Sequence, residues 1–183
     1  MEYFDVVDAR GEPTGEIVSR AEAHALGRPH RTAHVWILRR REGRVQSLLQ
    51  KRSADKDSFP GMYDTSSAGH IPAGDAPLAS ALRELGEELG VRAAPEDLIF
   101  AGTFHNRYDE VFHGKPFRDD EISFVYVYDR PVDETRLTLQ SEEVEAVAWF
   151  DFDEVLDACR RGSEVFCVPV GGMEVIRRYL DRA

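Results

Sequence analysis

The stretch Gly69-His-Ile-Pro-Ala-Gly-Asp75-Ala-Pro-Leu-Ala-Ser-Ala-Leu-Arg83-Glu84-Leu-Gly-Glu87-Glu88-Leu-Gly90-Val91 decides the fold that we expect for this chain. A helix is predicted from Pro77 to Leu89, because proline is tolerated in the first turn of a helix. Gly90 can adopt the left-handed conformation that ends one. Asp75 is predicted as the N-cap, where its carboxylate would accept hydrogen bonds from free backbone N–H groups.

The two faces of this helix differ in chemistry. A narrow apolar stripe, typical of a face packed on a core, is formed by Leu78, Leu82, Leu85 and Leu89. Glu84, Glu87 and Glu88 lie three and four residues apart, so their like charges repel unless a cation lies among them. Arg83 can reach Glu87, but one arginine cannot neutralise three carboxylates. Because hard divalent cations bind carboxylate oxygens, this face predicts a metal site; the alternative is a solvated acidic face.

The same stretch resembles the Nudix box, whose pattern is G-x5-E-x7-R-E-U-x-E-E-x-G-U, with U a bulky aliphatic residue. Every defined position matches except the seventh, where Asp75 stands in place of glutamate. The resemblance implies the α+β class, as an α/β/α sandwich with a mixed sheet between helices. It also implies an enzyme, a pyrophosphohydrolase that cleaves a diphosphate linkage in a nucleoside diphosphate derivative or a related small phosphorylated metabolite.

The resemblance implies roles for individual residues. The implied ligands of Mg²⁺, or of Mn²⁺, are Glu84, Glu87, Glu88 and the backbone carbonyl of Gly69. The implied catalytic residues are Glu88, Glu87, Arg83 and Glu121. The metal would offset charge on the diphosphate and activate a water for attack. Glu88 or Glu121 would take the proton of that water, and Arg83 would orient the glutamates by salt bridges. The role of Asp75 stays open, because its side chain is shorter than that of glutamate.

A second resemblance covers residues 3 to about 155, which are similar to the branch of the superfamily that includes isopentenyl-diphosphate isomerase. In that isomerase, histidines and acidic residues bind a metal. The residues at the similar positions are His24, His30, His70, Asp119 and Glu121. Whether they bind a second metal stays open, because a single histidine is more often a surface or hydrogen-bonded residue than a ligand.

The isomerase needs a catalytic cysteine in the stretch that corresponds to Ser66–His70, and this chain has none there. Hydrolysis is therefore favoured over isomerisation. It is also favoured over a non-catalytic nucleotide-binding module, which has no need of three clustered glutamates. Arg52 and Lys56 flank a loop, and in this branch such basic residues contact the diphosphate. Aromatic residues that could line a pocket or the core are Tyr63, Phe104, Tyr108, Phe112 and Phe117.

The rest of the chain predicts a single domain over residues 1–183, with a hairpin extension at 1–25 and the box at 69–91. The extension contains strands at Tyr3–Val7 and Glu16–Val18 and a short helix capped by Ser19. Further strands are predicted at 33–38, 45–50, 64–68, 98–105, 121–128 and 146–150, and further helices at 153–161 and 172–182. Because these helices do not alternate regularly with the strands, we expect a mixed sheet. The polar segment 105–120 is predicted to be a lid or a substrate loop.

Composition bounds the function further. The formal net charge of −11 disfavours binding of a nucleic acid polymer, which needs a basic face. We find no signal peptide and no apolar run near the roughly 20 residues of a membrane helix. The two cysteines, Cys159 and Cys167, are too few for a disulfide framework. A cytoplasmic enzyme with a small phosphorylated substrate is therefore expected, and a homodimer is the default assembly.

Overall fold

The computed structural model describes residues 2–56, 58–112 and 114–182; within them, the side chains of Phe112, Lys115 and Pro116 are not described. The strands are β1 (Tyr3–Val7), β2 (Pro13–Ser19), β3 (His30–Arg41), β4 (Arg44–Arg52), β5 (Tyr63–Asp64), β6 (Ser67–His70), β7 (Ile99–Phe112), β8 (Lys115–Tyr128) and β9 (Val144–Asp151). The helices are α1 (Arg20–Leu26), α2 (Pro77–Leu89), α3 (Phe152–Arg160) and α4 (Val170–Leu180). None of the helices in the described part of the chain has the length and apolar character needed to cross a membrane.

Strand β3 is the centre of a seven-stranded mixed sheet. It pairs in parallel with β8 and antiparallel with both β4 and β6. Strand β7 lies outside β8, and both β5 and β9 pair with β4. Strands β1 and β2 form a separate two-stranded sheet. The mixed sheet and the N-terminal hairpin that the sequence predicts are both confirmed.

Successive side chains of β3 point to opposite faces of the sheet and pack into two separate hydrophobic cores. Ala33, Val35 and Ile37 point to one face and pack with the leucine stripe of α2. Trp36 and Leu38 point to the other face, where they pack with α3 and α4. Because successive side chains of a strand lie on opposite faces, one strand serves both cores. The sheet therefore lies between helices on its two faces, which is the predicted α/β/α sandwich.

Helix α2 has the predicted bounds but a different N-cap. The cap is Ala76, with φ −82° and ψ 142° and no side-chain hydrogen bond, so the prediction of Asp75 as N-cap is wrong. A residue before proline avoids the helical region, which places the boundary directly at Ala76 before Pro77. The backbone carbonyl of Asp75 instead accepts a hydrogen bond from Arg31 at 3.3 Å. Gly90 ends the helix in the left-handed conformation as predicted, with φ 69°.

Within the polar segment 105–120, residues 105–112 and 115–120 are strand, so the prediction of a loop conformation there is wrong. Strands β7 and β8 continue as an antiparallel hairpin, from the Asn106–Glu121 pair to the Phe112–Lys115 pair at its tip. Backbone hydrogen bonds sustain such a ribbon even where its side chains are polar and partly exposed. The apolar alternation by which strands are recognised in a sequence is therefore missing from it.

Candidate active site

The acidic face of α2 lies against β6 and lines a cavity of about 1020 Å³. Glu84 and Glu88 are largely buried there, with 15% of the Glu84 side chain and 5% of Glu88 exposed. The side chain of Glu87 is 54% exposed. All three glutamates line the cavity, two inside it and one at its rim.

The carboxylate of Glu88 is held by two donors. Its Oε2 accepts hydrogen bonds from Nε2 of Gln50 at 3.3 Å and from the backbone N–H of Ala68 at 3.2 Å. Burial raises the pKa of Glu88 to about 8, and the nearby carboxylate of Glu84 also raises it. The charged form of Glu88 is therefore costly in this position unless a cation lies beside it.

Gly69 makes room for the neighbouring carboxylate. A Cβ atom at this position would lie 2.2 Å from Cδ and 2.3 Å from Oε1 of Glu84. The Glu84 carboxylate thus occupies the space that a side chain on β6 would fill. This cradle of buried carboxylates against a strand backbone offers only oxygen donors, a set that fits a hard divalent cation.

Arg83 pairs with both of its neighbouring glutamates. Its two terminal nitrogens lie 2.8 Å from Oε1 of Glu84 and 2.9 Å from Oε2 of Glu87. The first of them also donates to the backbone carbonyl of His70 at 3.4 Å. The planar guanidinium therefore links two turns of α2 to β6, which fixes the direction of the Glu84 carboxylate.

A second cluster of ligand-type side chains lies in the same cavity. The Nε2 atoms of His24 and His30 lie 3.7 and 3.8 Å from Oδ1 of Asp119. Those of His30 and His70 lie 3.8 and 3.6 Å from Oε1 of Glu121. Within the described chain, the three Nε2 atoms and Oδ1 of Asp119 are buried and have no hydrogen-bond partner. These five side chains are the ones that the second resemblance singles out.

The protonation of this cluster suits metal binding. Burial lowers the pKa of all three imidazoles, that of His24 to about 3, so they are neutral near pH 7. Nδ1 of His30 lies 2.8 Å from the carbonyl oxygen of Arg28. A carbonyl only accepts, so Nδ1 carries the proton and Nε2 presents its lone pair to the cluster. Four such atoms without partners would each cost free energy, whereas an ion among them would satisfy them together.

Neighbouring elements hold the cluster in place. Phe4 of β1 stacks on the rings of His30 and His70, with centroids 4.9 and 4.7 Å apart. On the β7–β8 hairpin, Tyr108 is the cross-strand neighbour of Asp119, and Asn106 is the cross-strand neighbour of Glu121. The N-terminal hairpin and the β7–β8 hairpin therefore both support the site, since such outer contacts orient ligand side chains.

The two predicted diphosphate-binding residues line the cavity. Arg52 donates to Oδ2 of Asp64 at 3.1 Å and to the backbone carbonyl of Ser58 at 2.9 Å. Lys56 forms an ion pair with Glu143. Both cations are thus held by protein groups, and no pattern in the sequence indicates these partners. Of the predicted pocket aromatics, Tyr108 and Phe117 line the cavity, whereas the side chain of Phe112 lies outside the described residues.

Sequence reasoning missed several cavity residues, and the signal for them is weak. His34 follows His30 at four residues on β3 and therefore lies on the same face of the strand. Asp64 and Cys167 come from distant segments, and only the folded chain brings them into the same cavity. The spacing of these residues in the sequence shows no pattern from which their place in the cavity could be predicted.

Comparison with known proteins agrees with this geometry. The NUDIX domain family matches residues 28–166, which is more than half of the chain. The chain belongs to the Nudix family. As a member of that family it is a pyrophosphohydrolase, and Nudix hydrolases generally use divalent metal ions. The predicted enzyme class is thereby confirmed.

Two relatives and one solved structure illustrate the family's range. Nudix hydrolase 3 of Arabidopsis thaliana is 46% identical over 155 residues, covering 84% of this chain but only 20% of that protein. An uncharacterized Nudix hydrolase of Clostridium acetobutylicum is 36% identical over 154 residues, covering 84% of this chain and 72% of that protein. The crystal structure of DR0079 from Deinococcus radiodurans superposes with a TM-score of 0.70 at 19% identity, covering 97% of this chain and 99% of that one. The last comparison concerns the Nudix fold alone.

Proposed function

We propose that this Nudix enzyme uses Mg²⁺, or Mn²⁺, to hydrolyse the diphosphate linkage of a nucleoside diphosphate derivative or a related small phosphorylated metabolite. The observation that carries the proposal is the placement of Glu84 against Gly69 and of Glu88 against Ala68 inside the cavity. Two buried carboxylates of like charge next to a strand backbone cost stability unless a cation is bound.

The residues that would hold the metal are Glu84, Glu87, Glu88 and the carbonyl of Gly69. A bound divalent cation supplies charge neutralisation for the diphosphate and acidifies water near it. Arg83 keeps the Glu84 carboxylate in place through its ion pair. Glu88 is the better supported proton acceptor, since its carboxylate lies on the box helix beside Glu84. Glu121, the other predicted acceptor, lies 3.6–3.8 Å from two imidazoles and is engaged in the histidine cluster.

Arg52 and Lys56 are proposed to contact the diphosphate. Each is held by an acidic side chain at the cavity wall, Asp64 and Glu143 respectively. A guanidinium can bind a second anion through its remaining N–H groups, and a lysine can exchange a surface carboxylate for a phosphate. The diphosphate would then lie between these cations and the box helix.

The histidine cluster is proposed as a second metal centre, which would place the enzyme in the isomerase-like branch of the superfamily. Three neutral imidazoles with two carboxylates favour a transition metal over Mg²⁺. His24 comes from α1, so the extension 1–25 would belong to a single functional domain spanning residues 1–183. Metal analysis of the purified protein, compared with its His24→Ala and His30→Gln variants, tests this. A metal content that neither substitution lowers would contradict it.

Isomerisation is the alternative reaction within that branch. It needs an acid–base pair at carbon, and the stretch that corresponds to the isomerase cysteine contains Ala68 instead. Cys167 does line the cavity, but burial raises the pKa of its thiol well above the ordinary range. A thiol that resists ionisation is a poor base, and its place in the fold is on the segment before α4. Hydrolysis therefore remains the better supported reaction.

The experiment is a substrate panel assayed with Mg²⁺ and with Mn²⁺. It contains nucleoside diphosphate derivatives, dinucleoside polyphosphates, coenzyme A and isoprenoid diphosphates. Release of a nucleoside monophosphate or of phosphate, abolished by a chelator, is the expected result. Formation of an allylic isomer without hydrolysis would overturn the proposal. Binding of nucleotides without any turnover would instead indicate the non-catalytic module.

A further inference from the structure

The loop of residues 71–76 connects β6 with α2, the two elements that form the proposed metal site. The carboxylate of Glu84 on α2 fills the space beside Gly69 on β6 so closely that a Cβ there would lie 2.2 Å from its Cδ. The placement of α2 against β6 therefore has little tolerance. The N-cap Ala76 offers no side-chain hydrogen bond to the first turn of α2. Contacts of the preceding loop thus set where the helix begins.

A buried ion pair from two other strands holds this loop. Oδ2 of Asp5 on β1 accepts a hydrogen bond from Nη2 of Arg31 on β3 at 2.8 Å and one from the backbone N–H of Gly74 at 2.9 Å. The same Nη2 also donates to the backbone carbonyl of Asp75 at 3.3 Å. The side chains of Asp5 and Arg31 are 11% and 8% exposed. One carboxylate and one guanidinium therefore bond the N–H of one loop residue and the carbonyl of the next.

Backbone contacts of the same two strands hold the rest of the loop. The N–H of Ala73 donates to the carbonyl of Tyr3 on β1 at 2.8 Å, and the N–H of Ile71 donates to the carbonyl of Arg31 at 3.0 Å. Because side chains alternate along a strand, Arg31 lies on the same face of β3 as Ala33, which packs with the leucine stripe of α2. The loop is thus bonded to β1 and β3 along most of its length.

The ion pair gives the loop something that an apolar pair could not give. Removing two charges from water costs about as much free energy as their attraction returns, so replacing a buried ion pair by apolar side chains is often neutral or stabilising. Apolar side chains in place of Asp5 and Arg31 would leave the N–H of Gly74 and the carbonyl of Asp75 without these bonds. The contribution of the pair is therefore the placement of the loop rather than the stability of the fold.

We propose that Asp5 and Arg31 are positioning residues, which fix the loop 71–76 and thereby place the glutamates of α2 against β6. The N-terminal hairpin is then part of the machinery that shapes the metal site. The inference rests on the proposed function in that Glu84 and Glu88 bind the metal. It goes further because it assigns a role at that site to two side chains that lie outside the lining of the cavity as the described residues form it.

Two variants separate metal affinity from stability. Calorimetry measures Mn²⁺ binding at the site that Glu88→Gln removes, and urea unfolding in the presence of a chelator measures stability. The double variant Asp5→Leu/Arg31→Met is expected to unfold at a urea concentration equal to or above that of the wild-type protein. It is nevertheless expected to bind Mn²⁺ about tenfold or more weakly, the usual effect of removing outer contacts of a metal site.

The conservative variant Asp5→Asn is expected to behave in the opposite way. Its amide oxygen can still accept hydrogen bonds from Gly74 and Arg31, so Mn²⁺ should bind nearly as tightly as to the wild-type protein. Its stability should fall, because the charge of Arg31 is left buried without a partner. Glu16→Gln is the matched control, since it removes the exposed ion pair of the same hairpin with Arg28. That control should change neither quantity.

Wild-type Mn²⁺ affinity in the double variant would overturn the inference, and so would an equal loss of affinity in Asp5→Asn and the double variant. If the double variant does not fold, amide hydrogen exchange in the wild-type protein decides. Because coupling between two sites is reciprocal, saturating Mg²⁺ should slow exchange of the Gly74 amide more than that of the Gly11 amide, which is bonded to Asp8 at the far turn of the hairpin. Equal slowing at both amides contradicts the inference.

These measurements need no turnover, so the two proposals can fail separately. A weakened Mn²⁺ site in the double variant, together with no hydrolysis of any diphosphate by the wild-type protein, would refute the proposed function alone. Hydrolysis by the wild-type protein, together with unchanged Mn²⁺ affinity in the double variant, would refute this inference alone.

Discussion

Replacing Gly69 by alanine adds a single methyl group beside the carboxylate of Glu84. The backbone of Gly69 is not in the left-handed region, so alanine can adopt it without strain. The added Cβ would lie 2.2 Å from Cδ of Glu84. Gly69→Ala therefore acts on the site through Glu84 rather than through the backbone.

The size of the effect follows from these distances. Carbon atoms in contact lie about 3.5–4.0 Å apart, so the Glu84 carboxylate must move by roughly 1.5 Å. A misplacement of about 1 Å in a catalytic arrangement costs about 100-fold in rate. We expect kcat/KM to fall by about that factor or more. The free energy of unfolding should fall by about 1–3 kcal/mol, the usual cost of adding a methyl group to a packed interior.

Steady-state kinetics and urea unfolding measure these two quantities, and calorimetric titration of Mn²⁺ measures the metal affinity, which should fall because the displaced Glu84 is a proposed ligand. Gly86→Ala is the matched control on α2, since its added Cβ would meet Val91 O at an ordinary 3.8 Å. That control should stabilise the helix by about 0.5–1 kcal/mol and leave Mn²⁺ affinity unchanged. Wild-type Mn²⁺ affinity and kcat/KM in Gly69→Ala would refute the reasoning, because Glu84 would then not need the space at Gly69.

Three further predictions follow from the same geometry. Because burial raises the pKa of Glu88 to about 8 from 4.5, metal-free folded protein retains a proton that unfolded protein releases. Its unfolding free energy should fall as pH rises between these values, by up to about 1.4 kcal/mol per pH unit. Urea titrations in the presence of a chelator should show a smaller fall for Glu88→Gln. A fall equal to that of the wild-type protein would contradict this prediction. Arg83→Lys loses the simultaneous ion pairs of the guanidinium with Glu84 and Glu87, so kcat/KM should fall about tenfold. The free energy of unfolding should change by no more than about 1 kcal/mol. Unchanged kinetics would rule out the orienting role. Leu85→Ala should lower the unfolding free energy by about 2–5 kcal/mol. Leu82→Ala should lower it less, since Leu85 is fully buried and Leu82 is only partly buried. Equal losses of unfolding free energy in urea titrations would contradict this packing.

Helix α2 shows how far the sequence alone can predict this fold. Its bounds, its leucine stripe and the glycine that ends it follow from local rules of helix geometry, and the structure agrees with all three. Its acidic face also predicts a cluster of carboxylates on one side. These features could be predicted because each depends on residues within a few turns of one another.

The errors have two different causes, a competing local constraint at the start of α2 and non-local pairing in the β7–β8 hairpin. The N-cap moved from Asp75 to Ala76 because the constraint of the following proline outweighs the capping preference of aspartate. The hairpin 106–121 lacks apolar alternation, and its strand character comes from cross-strand backbone pairing. The hydrophobic periodicity of a sequence depends on which side chains are buried. It therefore does not predict a strand pair whose side chains are polar and partly exposed.

The part of the cavity wall that is formed by His34, Asp64 and Cys167 was the least predictable part of the site. In the sequence, nothing distinguishes His34 from the other residues of a largely apolar strand. Nothing in it distinguishes Cys167 from an ordinary thiol near the C-terminal helix. Their meeting with Asp64 depends on how β3, β5 and the segment before α4 pack together. Such contacts are non-local, and neither periodicity nor spacing encodes them.

The most direct test of the central claim is the rate of Mg²⁺-dependent hydrolysis by Glu88→Gln, measured on the best substrate of the panel. Glutamine nearly preserves the shape of Glu88 and can keep a contact with Gln50 or Ala68, but it removes the charge and the proton acceptor. We predict that kcat falls by about 100-fold or more, while circular dichroism stays unchanged and the unfolding midpoint is equal or higher. Full wild-type turnover by Glu88→Gln would contradict the assignment of this helix as the catalytic metal site.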